Sequence, residues 1–109
     1  MNDYFPALAA APSREIFPGV VIRTCSLDKL MLSLVDLAPH SVVAEHQHPH
    51  EQMGYWLKGR ALFTIGGEEK LVQPGDWYRI PSQVRHKVVV LDEPAQALDV
   101  FSPPREEYK

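Results

Sequence analysis

An all-β domain, built as an antiparallel sandwich or barrel, is the fold class that this sequence predicts. Two observations carry it. Ten prolines and six glycines are scattered through the 109 residues rather than pooled in one tail. Between them lie short runs rich in Val, Ile, Leu and aromatic residues, the lengths and compositions of β-strands separated by turns. Only 8–11 and 26–29 offer even a single helical turn. Many short strands at such spacing pack as a sandwich or close as a barrel.

Taken in order, residues 1–18 or so read as an irregular arm, with Pro6 and Pro12 interrupting an Ala-rich stretch. A barrel follows over about 19–102. Pro18-Gly19 introduces the first strand-like run, 20–24, and 30–37 is the next, closed by Pro39. After Pro49 comes 52–57, ended by Gly59. Gly66-Gly67 separates 61–65 from 70–72, the signal of a tight hairpin. Pro74-Gly75 precedes 77–80, Pro81 ends it, and 87–91 and 97–101 flank Pro94. No internal repeat or linker divides the chain, so 1–109 reads as one domain.

Composition excludes several function classes. Eleven Lys and Arg against 14 Asp and Glu give a formal net charge of -3, with no basic excess to displace phosphate counterions, so nucleic acid is not an expected partner. No apolar run approaches the ~20 residues that span a bilayer, so no membrane is expected either. The N-terminus lacks the basic segment of a secretory signal. The lone Cys25 cannot form an internal disulfide, which fits a reducing cytoplasm. A small core without covalent staples favours association. We therefore expect a homodimer, with residues 2–12 packing on or adding to the partner's sheet.

Chemistry concentrates in Glu45-His46-Gln47-His48-Pro49-His50-Glu51-Gln52. Along an extended strand, positions two apart share a face, so His46 and His48 present two imidazoles side by side, half of a transition-metal site. A solvated loop of histidines explains the same three letters, and His-x-His alone does not decide between the two. A second segment, Gly75-Asp76-Trp77-Tyr78-Arg79-Ile80-Pro81-Ser82-Gln83-Val84-Arg85-His86, adds a further histidine after a strand and a turn. No phosphate-cradling glycine loop, no Gly-x-Ser-x-Gly elbow and no His-Glu-x-x-His helix is present.

Together the two segments resemble the paired signature motifs of the cupin superfamily. The first matches at His46, His48, Gln52 and Gly59, and the second at Gly75, Pro81 and His86. Gln83 and Val90 stand where Gly and Asn are usual, so a non-Gly residue must make the turn before His86. The resemblance implies a small antiparallel jelly-roll barrel. It also implies one divalent transition metal (Ni, Zn, Fe or Mn) held by His46, His48, Gln52 and His86. Glu51 is the alternative fourth ligand. Strand parity with His46 and His48 favours Gln52, although Pro49 can reset the register. His50 fits the rim or a supporting role.

The ending Asp99-Val100-Phe101-Ser102-Pro103-Pro104-Arg105 resembles that of the pectin-degradation cupins. Those enzymes open 4,5-unsaturated uronates to linear 5-keto-4-deoxyuronate. That resemblance implies a small anionic substrate, with Asp99 moving protons, Arg105 holding the carboxylate and Phe101 shaping the pocket. An outward Asp99 on an edge strand and a surface Arg105 would account for the same residues without chemistry. Trp56 is a candidate for the pocket wall, and Tyr78 and Arg23 are further candidates, though core packing explains each aromatic as well. A metal-dependent dioxygenase acting on a small carbonyl or phenolic compound, and a non-catalytic sensor of a metal or small molecule, are the competing function classes.

Overall fold

The computed structural model describes residues 3–109. Asn2, the first residue of the arm expected to reach a partner, lies outside them. The chain forms ten strands: β1 Ser13–Phe17, β2 Val20–Ser26, β3 Met31–Leu37, β4 Val42–His46, β5 Glu51–Lys58, β6 Ala61–Ile65, β7 Glu68–Val72, β8 Trp77–Ile80, β9 His86–Val90 and β10 Ala95–Ser102. They make a six-stranded sheet in the order β1-β2-β3-β10-β5-β8 and a four-stranded sheet in the order β4-β9-β6-β7. All pairings are antiparallel. The two sheets stack as a jelly roll with the apolar core between them, as the all-β reading expected.

The arm is shorter than expected. Residues 13–17 alternate too weakly to be read as a strand, yet they pair with β2 through the turn at Pro18-Gly19, where Gly19 has φ 78°. That left-handed position favours Gly, and the Glu15 carboxylate accepts the Gly19 N–H at 2.8 Å. The arm proper reduces to 3–12, with a 3-10 turn at Leu8–Ala10. Residues 26–29 form no helix: β2 runs to Ser26, and Leu27 N–H donates to Leu30 O at 2.9 Å, closing a turn into β3. Within the Gly-Gly hairpin, β7 begins at Glu68, earlier than its sparse apolar content suggests.

Register layers the inner face of the large sheet into rows. Nearest the mouth are Met31, Phe101, Gln52 and Ile80, mutually opposite across β3, β10, β5 and β8. Next comes a polar belt of Thr24, Ser33, Asp99, Gly54 and Tyr78 across five strands. Below it lie Ile22, Val35, Ala97 and Trp56, then Val20, Leu37 and Ala95. The lower rows are sealed against Ala61, Phe63, Val72, Val88 and Val90 of the small sheet. The lower rows are thus wholly apolar, and the polar residues of the inner face collect in the two rows nearest the mouth, among the buried Met31, Ile80 and Phe101.

Candidate metal centre

His46 ends β4 and lies opposite His86, the first residue of β9. The chain then leaves the small sheet through 47–50 and enters the large sheet at Glu51, so Pro49 does break the strand. His48 therefore sits in a loop, and its proximity to Gln52 arises from this crossing rather than from shared strand parity. Its position is held by the Gln83 N–H, which donates to His48 O at 2.8 Å. Gln83 carries out the turn before His86 at φ 65°, the left-handed conformation that the missing Gly would have adopted without cost.

The ring donor atoms of His46, His48 and His86 lie within 4.8 Å of one another, a group that could hold a metal ion. Each Nδ1 faces a main-chain carbonyl: His46 to Ala44 O at 2.8 Å, His48 to His50 O at 3.0 Å, His86 to Val84 O at 2.9 Å. A carbonyl only accepts, so each Nδ1 carries the proton and each Nε2 keeps its lone pair. Burial favours the neutral forms of His86 and His48. It depresses His86 to about 4, and burial with the nearby Arg105 charge lowers His48.

Gln52 is buried beside them and Glu51 is exposed. Gln52 also lies near enough to Asp99 to favour its carboxylate form. Its Oε1 meets His48 Nε2 at 3.1 Å, and with the His48 proton on Nδ1 the two stand acceptor against acceptor. A cation between them turns that repulsion into attraction, so the donor set fits a divalent ion of the kind that takes imidazole and amide ligands. His50 remains outside the group. It contributes its carbonyl to His48, and its ring stands edge-on to that of His48 with centroids 5.4 Å apart.

Asp99 faces inward, not outward. Its Oδ1 accepts the Tyr78 hydroxyl at 2.5 Å, and its pKa is raised to about 6 by burial, against the opposing pull of Tyr78, Gln52 and Arg105. Tyr78 reaches it from two strands away, across β5, because position 54 is Gly. A Cβ there would fall within the Tyr78 ring. The guanidinium of Arg105 is 5.4 Å from the Phe101 ring centroid and 4.1 Å from that of Tyr108. The segment carrying it is tied across the sheet edge, with Arg14 donating to Glu107 O and Lys109 O and Thr24 Oγ1 donating to Tyr108 O. Asp99, Tyr78, Phe101, Arg105 and Tyr108 line one cavity that opens to solvent.

Residues 33–101 match the cupin domain family. The chain belongs to that family. Pectin degradation protein KdgF of Dickeya dadantii is 33% identical to this cupin over 99 residues, 89% of this chain and 90% of that protein. The structure of KdgF from Halomonas sp. matches with a TM-score of 0.87 at 27% identity, covering 96% of this chain and 97% of that one. An RmlC-like cupin from Shewanella frigidimarina matches at 0.90 and 23% identity over 97% and 96% of the two chains, which speaks for the fold alone.

Of the seven residues singled out from this cupin's sequence, His46, Gln52, His86, Asp99, Phe101 and Arg105 line the one cavity, and His48 adjoins it through its grouping with His46 and His86. Trp56 lines the cavity from below, donating its indole N–H to Gly59 O at 2.9 Å. Arg23 does not join them; it pairs with Asp36 at 3.4 Å. Sequence reasoning passed over Ser33 and Tyr108, both of which line the cavity. Ser33 had a readable signal, because it shares parity with Met31, Val35 and Leu37 in an otherwise apolar inward row. Tyr108 had none.

Proposed function

We propose that this cupin opens the ring of 4,5-unsaturated uronates to give linear 5-keto-4-deoxyuronate. The buried Asp99, set beside the histidine cluster and Arg105 in one cavity, carries this reading. The similarity to the pectin degradation protein supports it over the dioxygenase and sensor classes. In this reading His46, His48, His86 and Gln52 hold one divalent transition metal (Ni, Zn, Fe or Mn). When bound, the metal supplies Lewis acidity to a substrate oxygen. All four ligands are neutral, so the ion's full charge favours an anionic ligand.

Arg105 holds the substrate carboxylate, its guanidinium kept in place by the Phe101 and Tyr108 rings. Phe101 forms the wall against which the sugar ring lies. Asp99, as carboxylate, removes the proton of the C1 hydroxyl. The C1 carbonyl forms as the bond from C1 to the ring oxygen breaks, and the electron pair stays on that oxygen. Asp99 then returns its proton to C4, leaving the ketone at C5. The step is an isomerisation and consumes no co-reactant. Tyr78 orients the carboxylate by donating to it.

The test is elemental analysis of the purified protein, then assay on an unsaturated uronate. Turnover with about one metal per chain is expected. Asp99→Asn should keep metal and fold and lose ~10²–10⁴-fold in turnover. A metal-loaded wild type that leaves every unsaturated uronate untouched would falsify the reading in favour of a dioxygenase or sensor.

A cytoplasmic setting is proposed on the unpaired, exposed Cys25. No helix among the described residues is long and apolar enough to cross a membrane. A homodimer is proposed on the exposed Tyr4, Phe5 and Leu8 of the arm and on Met53, Tyr55 and Trp77 of the large sheet's outer face.

A further inference from the structure

Ser33 occupies the polar belt directly opposite Asp99. It is 1% exposed, lines the cavity, and its Oγ has no hydrogen-bond partner among the described residues. Its belt neighbours are engaged: Thr24 donates to Tyr108 O, and Asp99 accepts from Tyr78. The rest of the inward row of β3 is Met31, Val35 and Leu37. Ala at position 33 would suit that packing and would leave no buried hydroxyl unpaired, an arrangement that costs stability. The Nε of the buried Arg105 is likewise without a partner. The Arg105 Nη2 pairs with Glu107 at 3.7 Å, but Ser33 Oγ and Arg105 Nε are two buried polar atoms at one cavity with no hydrogen-bond partner among the described residues.

We propose that Ser33 is a specificity-determining residue that hydrogen-bonds a hydroxyl of the sugar acid, while Arg105 takes its carboxylate. The proposal rests on the uronate reading above and adds the group that recognises the sugar. The division of labour follows from charge. Asp99, adjacent in the belt, repels a carboxylate from the Ser33 position and tolerates a hydroxyl. A serine hydroxyl both donates and accepts, so it can serve an alcohol that must itself do both. Sites built to bond a substrate hydroxyl discriminate against analogues lacking it, because the site's own group is then left unpaired.

D-Galacturonate, which is saturated and so cannot undergo the C4 protonation, serves as the probe of binding. It is titrated into the metal-loaded wild type and Ser33→Ala, with acetate as the carboxylate that lacks a hydroxyl. Ser33→Ala should bind galacturonate about tenfold more weakly and acetate equally well, while its melting temperature stays level or rises. On an unsaturated uronate, KM should rise about tenfold with kcat changed far less. Ser33→Cys, close in volume and a poor donor, should show the same direction of change and guards against a folding defect in the alanine variant. Equal galacturonate affinity in wild type and Ser33→Ala, or an equal loss for acetate, overturns the role of Ser33. A wild type that turns over unsaturated uronates beside an indistinguishable Ser33→Ala overturns that role alone. A wild type that neither binds galacturonate nor turns over any unsaturated uronate overturns the functional reading and this proposal with it.

Discussion

Asp99 shows how one side chain sets stability against function. Its carboxyl is buried, and its pKa in the folded protein is raised from 3.8 to about 6. Below the lower value both folded and unfolded chains hold the proton, and burial of the neutral acid costs little. Above the upper value both have lost it, and folding must bury a charge. The stability lost to Asp99 therefore grows as pH rises from about 4 to 6 and stays lost above that. Metal-free Asp99→Asn should accordingly melt higher than metal-free wild type at pH 7 and level with it below pH 4. His86, depressed to about 4, works in the opposite sense in both proteins, since stability falls as pH drops from 6.5 towards 4. The comparison between variants cancels it. Thermal melts from pH 3.5 to 8 read the difference, and a constant offset at every pH would mean that Asp99 titrates alike in the folded and unfolded chains. The importance of this residue was legible in the sequence, because a charged group in the middle of Ala97-Leu98-Asp99-Val100-Phe101 demands a partner. The identity of that partner was not, because Tyr78 reaches it only across a neighbouring strand.

At the scale of elements, the turn between β8 and β9 decides whether the histidines meet. Gln83 stands there at φ 65°, and its N–H anchors the His48 loop. A non-Gly residue in this conformation costs roughly 1–2 kcal/mol, and Gly adds roughly 0.5–1 kcal/mol of unfolded-chain entropy. The Gln83 side chain makes one exposed contact, with Gln47 at 3.3 Å, too weak to reverse the balance. Gln83→Gly should therefore stabilise the protein by up to about 1 kcal/mol. Denaturant unfolding checks this; a clear loss of stability would mean that Gln83 holds the loop by its side chain. The departure from the family motif marked this strain in advance. Other features of the elements were less legible. β1 was hidden because Ser13-Arg14-Glu15 is exposed and carries no apolar alternation. β4 escaped because its burial pattern is just as irregular, and parity then placed His48 on a strand that ends at His46. Gln52 was the correct side of its strand for a different reason, its alternation with Gly54 and Trp56 in β5.

Across the whole molecule, two sheets leave one surface unfinished. Met53 is 50% exposed and Trp77 76%, on the outer face of the large sheet, and Tyr4 and Phe5 project from the arm at 80% and 91%. Met53, Tyr55 and Trp77 are neighbours there, and exposed apolar side chains gathered in one patch mark an interaction surface. The chain should run as a dimer in light scattering at micromolar concentration, and deleting residues 2–12 should shift it towards monomer. A monomeric mass that deletion leaves unchanged would remove the dimer. The fold itself was readable because punctuation by Pro and Gly is local chemistry. The association of arm and sheet depends on surfaces far apart in the chain, and composition alone could only suggest it.

Gly54 and Tyr78 have a consequence for the protein's history. The tyrosine ring fills the space that a side chain at 54 would occupy, so the two positions behave as one heritable unit. A lineage cannot acquire a larger residue at 54 while the ring is in place. It can shrink position 78 first, and once a new side chain has grown into the vacated space the tyrosine can return only after position 54 is glycine again. Descendants of this chain that carry both changes need a different way of supporting the carboxylate.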